Sequence, residues 1–238
     1  MGRQAANGVV RALGRIYRRV VASNAEPPAP PGRGTGRRAA NKADKLRRIT
    51  LAARELFLEK GFDGTTMRDI SARGGVGFGT LFDYASNKRD LLFLIFNPEL
   101  EQVLDESLAA AANEDNLVDK LMALFSGYYA LYARERAISR AVLRELTFFS
   151  EGSEAQKFID HRSRFLSAVT RLVEEAIDAK TLRASEPELI ARIIFGLFAW
   201  EVRRWLAQDA VSVARGLSDL RRLIELQIAG FSPFGAAR

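Results

Sequence analysis

From Lys42 onward the apolar residues recur every three or four positions, and nowhere do they alternate with polar ones over a strand's length between turn signals. A chain patterned this way buries one stripe of each helix against other helices, so the expected fold class is all-α. Leu46, Ile49, Ala53, Leu56 and Phe57 form the first stripe, and Gly61 stands where a helix would stop. Later stripes run through Leu117, Leu121, Leu124, Phe125, Tyr128 and Tyr132, and through Phe158, Phe165, Leu166, Val169, Leu172, Val173 and Ile177. Ile190, Ile193, Ile194 and Leu197 make another, and Leu217, Leu220, Leu223, Ile224 and Ile228 the last. Helix starts are expected at Asn97-Pro98-Glu99, at Ser153-Glu154-Ala155-Gln156 and at Ser185-Glu186-Pro187-Glu188, a proline-tolerant cap and two capping-box spacings. Pro98 should end one helix near Phe96 and begin the next, which would make this break a mechanical joint or a static kink.

The 238 residues contain no cysteine and one histidine, His161. Thiolate metal sites, disulfides, cysteine nucleophiles and multi-histidine metal centres are thereby excluded, and neither a metal nor another cofactor is expected. Apolar runs such as 91–96 are far too short to span a bilayer, so no membrane partner is expected and a cytoplasmic location is. Charge is distributed unevenly. Residues 1–48 carry 12 Lys/Arg against 2 Asp/Glu, whereas residues 49–96 are balanced at 6 and 6. The basic stretch contains Glu26-Pro27-Pro28-Ala29-Pro30-Pro31-Gly32, which cannot be regular structure. Residues 1–41 therefore read as a basic, Pro/Gly-rich disordered extension. Such an arm suits a polyanion, although charge alone fits a solvated tail equally well.

Thr66-Met67-Arg68-Asp69 is a cap signal opening a short helix. Gly74-Gly75-Val76-Gly77 breaks it after about two turns, and a second short helix follows over 78–84. Two short helices joined by a tight glycine-containing turn are the helix-turn-helix unit, whose second helix enters the major groove. Ile70 and Leu81 would lock the pair together without touching DNA.

Four linked segments resemble the TetR family of transcriptional regulators. Arg48-Ile49-Thr50-Leu51-Ala52-Ala53-Arg54-Glu55-Leu56-Phe57 with Gly61-Phe62 is similar to that family's first helix, and Thr65-Thr66-Met67-Arg68-Asp69-Ile70-Ser71 to its second. Gly75-Val76-Gly77-Phe78-Gly79-Thr80-Leu81-Phe82 resembles its turn and recognition helix, and Asn87-Lys88-Arg89-Asp90-Leu91-Leu92 its entry to helix four. The sequence departs from the pattern at Gly77, where Ser is common, at Phe82, where Tyr is usual, and at Ala85, where a core aromatic is usual.

The resemblance implies a three-helix reading domain over 42–96 and a helical effector-binding and dimerisation domain over 97–232. It implies a palindromic double-stranded operator, a small, mainly apolar or aromatic effector, and a homodimer through the last two helices. Thr66 and Lys88 would hold phosphates, with Gly77 and Phe82 at the family's phosphate positions. Arg68, Phe78, Gly79, Thr80 and Tyr84 would face the groove, while Asp83 should face solvent. Arg37, Arg38, Lys42 and Arg47 would add backbone contacts from the arm. Phe125, Tyr128, Tyr129, Tyr132, Phe149, Phe165 and Phe198 would line the effector cavity, with the hydroxyls as polar handles; each also reads as ordinary core. The leading expectation is a repressor released by its effector. An adaptor without a cavity remains open, as does a helical enzyme, against which the poverty in cysteine and histidine argues.

Overall fold

The computed structural model describes residues 35–146, 151–183, 186–210 and 212–231. Phe149, Ser185 and residues 1–34 lie outside the described residues, as does the side chain of Arg37. Among the described residues there are nine helices and no strand. They are α1 (Thr35–Gly64), α2 (Met67–Arg73), α3 (Phe78–Phe82), α4 (Lys88–Ala111), α5 (Leu117–Arg134), α6 (Arg136–Glu145), α7 (Ser153–Asp178), α8 (Pro187–Leu206) and α9 (Val213–Phe231).

The chain divides into two units, residues 1–48 and 49–238. The described part of the first is helical from Thr35, ahead of the boundary at 41 that composition suggested. Arg38, Lys42 and Arg47 are exposed there, and Asp44 pairs with Arg47 at 2.9 Å and with Arg48 at 3.1 Å.

In the second unit α4 packs on α5 and α7, α7 on α8, and α9 on α5 and α8. Gly61 takes φ 74°, so the helical path is interrupted where the sequence placed its stop. The Thr65 hydroxyl then donates to the carbonyls of Gly61 at 2.8 Å and Leu56 at 3.1 Å, capping the turn from below.

Helix α4 contradicts the expected break at Pro98, because it runs unbroken from Lys88 to Ala111 with the proline inside. A proline in a helix interior costs about 3 kcal/mol. Burying one leucine or phenylalanine recovers roughly 1.5–3 kcal/mol, and here Leu91, Leu92, Phe93 and Phe96 before the proline and Leu100 and Leu104 after it are all buried. Asn97 is not a cap either. Its Nδ2 donates to the Glu154 carbonyl and to Glu154 Oε2, each at 2.9 Å, tying α4 to the start of α7. The capping box expected at Ser153 does not form: Gly152, at φ 97°, is the N-cap, and Ser153 is already helical.

In the last two helices Ile190, Ile194, Leu220 and Ile224 are buried within the chain's own core. Leu189, Trp200 and Leu226 lie exposed on those same helices.

Candidate DNA-reading head and effector cavity

The reading head is built from the end of α1, from α2 and α3, and from the start of α4. Ile70 and Leu81 are completely buried, as their role as scaffold requires. Gly75 at φ 59° makes the left-handed step of the turn, a conformation costly for any other residue. The Ser71 hydroxyl donates to the Val76 carbonyl at 2.9 Å and closes the turn. Val76 itself is half-buried. Arg73 bridges back to Glu59 at 2.9 Å and Glu55 at 3.3 Å, fixing α2 on α1.

Two residues expected to hold phosphate are engaged within the head. Thr66 forms the capping box: its Oγ1 accepts from the Asp69 amide at 3.1 Å, and Asp69 Oδ2 accepts from the Thr66 amide at 2.9 Å. The Thr66 hydroxyl also donates to Asp69 Oδ2 at 2.7 Å, and this bond first, then the one from the Thr66 amide, with Lys60 adding to them, lowers the Asp69 carboxyl to about 2. Lys88 is engaged more fully. Its ammonium donates to the carbonyls of Phe62 at 2.6 Å, Thr65 at 2.9 Å and Asp63 at 3.3 Å, and lies 4.5 Å from the Phe62 ring centroid. An ammonium has three donors. All three are directed at the α1–α2 corner, so Lys88 also braces the head.

The outward residues are Arg68, Gly77, Phe78, Gly79 and Phe82, all exposed, with Thr80 and Tyr84 half-buried. Helix α3 ends at Phe82, so Tyr84 follows the reading helix and packs against the core. Exposed Asp83 caps it. Gly77 is the N-cap and supplies no side-chain hydrogen bond. No atom would lie within 4 Å of a Cβ added at Gly79, so the backbone there is open to approach.

A cavity of about 210 Å³ lies among α4, α5, α6, α7 and α8. Leu100, Leu143, Leu146, Phe158, Phe165, Phe195, Phe198, Ala199 and Val202 make its apolar wall. Tyr128, Tyr132, His161, Arg162 and Arg203 are its polar groups, and both arginines are exposed. Of the residues expected here, Tyr128, Tyr132, Phe165 and Phe198 line the space. Phe125 does not: it stacks behind Phe198 with ring centroids 4.6 Å apart. Tyr129 does not either: it packs on Trp205 at 4.7 Å and has no exposed surface. Both are core because they sit on the α5 face turned toward α8 and α9.

His161 is the polar residue the stripe reading left out, although its spacing from Phe158 and Phe165 put it on the same inward face. Its Nδ1 lies 3.2 Å from Glu101 Oε1, and its Nε2 3.2 Å from the Tyr128 hydroxyl. Burial lowers the His161 pKa against the opposing pull of Glu101 and so favours the neutral ring. Glu101 can only accept, which places the proton on Nδ1 and leaves Nε2 to accept from Tyr128. The phenol oxygen then keeps its lone pairs for a further donor. Burial also raises the Tyr128 pKa, which suits a hydrogen-bonding handle and not a nucleophile. Arg164 pairs with Glu101, and with Asp105 at 2.8 Å, holding the relay from outside.

The cavity wall is joined to the reading head by ionic contacts. Leu143 and Leu146 line the cavity, and Arg144 between them grips Asp63 with two bonds of 2.8 Å at the end of α1. The next residue, Glu145, accepts from Arg89 of α4 at 2.8 Å.

Residues 49–95 match the bacterial regulatory proteins of the tetR family, and residues 114–209 match a tetracyclin repressor-like C-terminal domain. Among curated relatives, the fatty acid metabolism regulator protein of Bacillus subtilis (strain 168) is 24% identical over 191 residues, covering 79% of this chain and 96% of that protein. The transcriptional regulator HbdR of Aromatoleum sp. (strain CIB) is 25% identical over 179 residues, covering 72% of this chain and 75% of that one. Among solved structures, Bacillus subtilis FadR in complex with stearoyl-CoA superposes with a TM-score of 0.62 at 24% identity, covering 78% of this chain and 99% of that chain. Thermus thermophilus FadR, a repressor in complex with lauroyl-CoA, gives 0.62 at 23% identity over 81% of this chain and 98% of its own.

Proposed function

The chain belongs to the TetR family and is a ligand-responsive DNA-binding repressor, and from that premise we propose that its effector is a short-chain or aryl acyl thioester of coenzyme A. The observation that carries this reading is the cavity: a phenyl- and leucine-lined space with Arg162 and Arg203 exposed at its edge. An apolar wall takes an acyl group, and guanidinium groups at the rim take phosphates. A cavity of about 150 Å³ accommodates benzene. About 210 Å³ therefore takes a small acyl or aryl group without rearrangement. The relatives whose structures contain acyl-CoA lend the thioester class support. The cavity also favours an effector-responsive regulator over an adaptor without a pocket.

The partners follow. The protein acts on DNA in the cytoplasm as a homodimer, because one reading head meets only a half-site. On α8, Leu189, Ile193, Gly196 and Trp200 recur at helical spacing on the side away from Ile190 and Ile194, and no atom would lie within 4 Å of a Cβ at Gly196. With Leu226 of α9 they form the face toward the partner. This replaces Leu220 and Ile224, which are spent inside the protomer. The arm residues Arg38, Lys42 and Arg47 supply sequence-independent phosphate attraction.

The test is calorimetric titration of the full chain with butyryl-CoA, benzoyl-CoA, stearoyl-CoA and free coenzyme A. The first two should bind at least tenfold more tightly than the last two. Arg162→Ala together with Arg203→Ala should erase most of that affinity while leaving the fold intact. Equal binding of all four, or of none, would rule this effector class out.

A further inference from the structure

The reading helix and its flanks carry none of the side chains that grip a purine with two hydrogen bonds. Between Gly74 and Ser86 there is no Lys, Arg, His, Asn or Gln. These are the side chains that make bidentate contacts to guanine and adenine. What α3 presents instead is Phe78, 43% exposed, and Phe82, 46% exposed. Their rings meet edge to face, with centroids 5.1 Å apart and planes at 86°, and so form one exposed apolar ridge beside buried Leu81. Arg68 of α2 places its guanidinium 5.8 Å from the Phe78 centroid, so the ridge is flanked by positive charge. Two adjacent phenyl rings kept in water need a reason. A basic flank directs them at a polyanion. Gly79, open on its outer side, lets the backbone between the rings come close to that partner.

The major groove displays one apolar feature, the thymine C5 methyl. We propose that this repressor reads its operator chiefly through thymine methyl groups seated against Phe78 and Phe82, with little hydrogen-bonded base readout from the recognition helix. The inference rests on the DNA-binding function and specifies the chemistry of the half-site.

The experiment begins with selection of binding sites from a random duplex library by the full-length protein. In the selected operator each thymine is then replaced singly by deoxyuridine, which differs only by the missing methyl group, and Kd is measured by fluorescence anisotropy. One or two thymines per half-site should show about a fourfold weakening, the value of one buried methyl. With Phe78→Ala and Phe82→Ala the thymine and uridine operators should bind alike, while affinity for a random duplex stays that of the parent. Both side chains are surface residues, and unchanged thermal unfolding of the variants verifies the fold. Tolerance of every deoxyuridine would overturn the proposal, as would methyl sensitivity surviving in both alanine variants. Failure to select any sequence would instead defeat sequence-specific binding itself, a distinguishable result that ends the proposal with it.

Discussion

Lys88 shows how a residue at a family position can also hold the fold together. Its motif Asn87-Lys88-Arg89-Asp90 is legible in the sequence, and so is the helix it opens. Its partners are not, because the carbonyls of Phe62 and Thr65 come within reach only after α1 has turned at Gly61. Hydrogen bonds to a charged group contribute about 1.5–3 kcal/mol, and part exposure puts the clamp near the low end. Lys88→Met should therefore lower stability by about 1–2 kcal/mol in denaturant unfolding. Loss of a phosphate ligand alone would leave stability unchanged and flatten the salt dependence of operator binding by about one unit. His161 provides a second residue-level test. It faces Glu101 and Asp105 of α4, Tyr128 of α5 and Arg164 of its own helix. Its folded pKa is lowered by burial, so the unfolded chain binds the proton more readily. Its stabilising contribution is present above the unfolded value near 6.5 and declines as pH falls below it toward the folded pKa. Stability should drop between pH 7 and pH 5, and His161→Gln should remove most of that slope. A slope of equal size in the variant would assign the titration to other groups.

At the level of helices, most of the fold could be read from periodicity, and what could not was decided by packing. The short pair α2 and α3 flanks the glycine turn as its signals required, and α1, α5, α7, α8 and α9 fall on stripes spaced by three and four. Pro98 was misleading because a breaking signal is local, whereas the buried residues that hold α4 together on both sides come from α5 and α7. Phe125 and Tyr129 read as cavity residues in the sequence because composition cannot say which face of an aromatic helix meets a void. Coupling was illegible altogether, since Arg144 and Asp63 are 81 positions apart. Their bidentate pair is solvent-exposed, and screening keeps its contribution to stability small. Its position is what gives it a role. Arg144 stands between two cavity-lining leucines and holds the corner that Lys88 also closes. An effector that displaces Leu143 and Leu146 must move this grip. Arg144→Gln should thus leave melting and effector affinity without DNA nearly unchanged, and shift the effector concentration for half-release of the operator severalfold. Pro98→Ala should behave oppositely, raising stability and leaving the release curve in place. An unaltered release curve for Arg144→Gln would remove α6 from the path.

For the whole molecule the deciding quantity is how two weak half-site contacts become one strong one. If the reading head grips a half-site chiefly through an apolar ridge, it gains little electrostatic affinity for a single half-site at physiological salt. Linking two heads converts the second contact into an intramolecular event and can raise affinity by about 10²–10⁴. The face that makes the link must be apolar, exposed in one protomer and separate from its core. Trp200 at 66% exposure and Leu226 at 71% meet these conditions on α8 and α9, with Leu189 in register. Leu220 and Ile224 do not, since a charge there would enter the protomer's own core and unfold it. Trp200→Glu should therefore give a monomer in sedimentation velocity, with parental helicity and parental affinity for an isolated half-site. Its affinity for the full palindrome should fall by about 10²-fold or more, because the effective-concentration gain is lost while each contact survives. If Trp200→Glu sediments as a dimer at micromolar concentration, the face on α8 and α9 is not the one that joins the two heads.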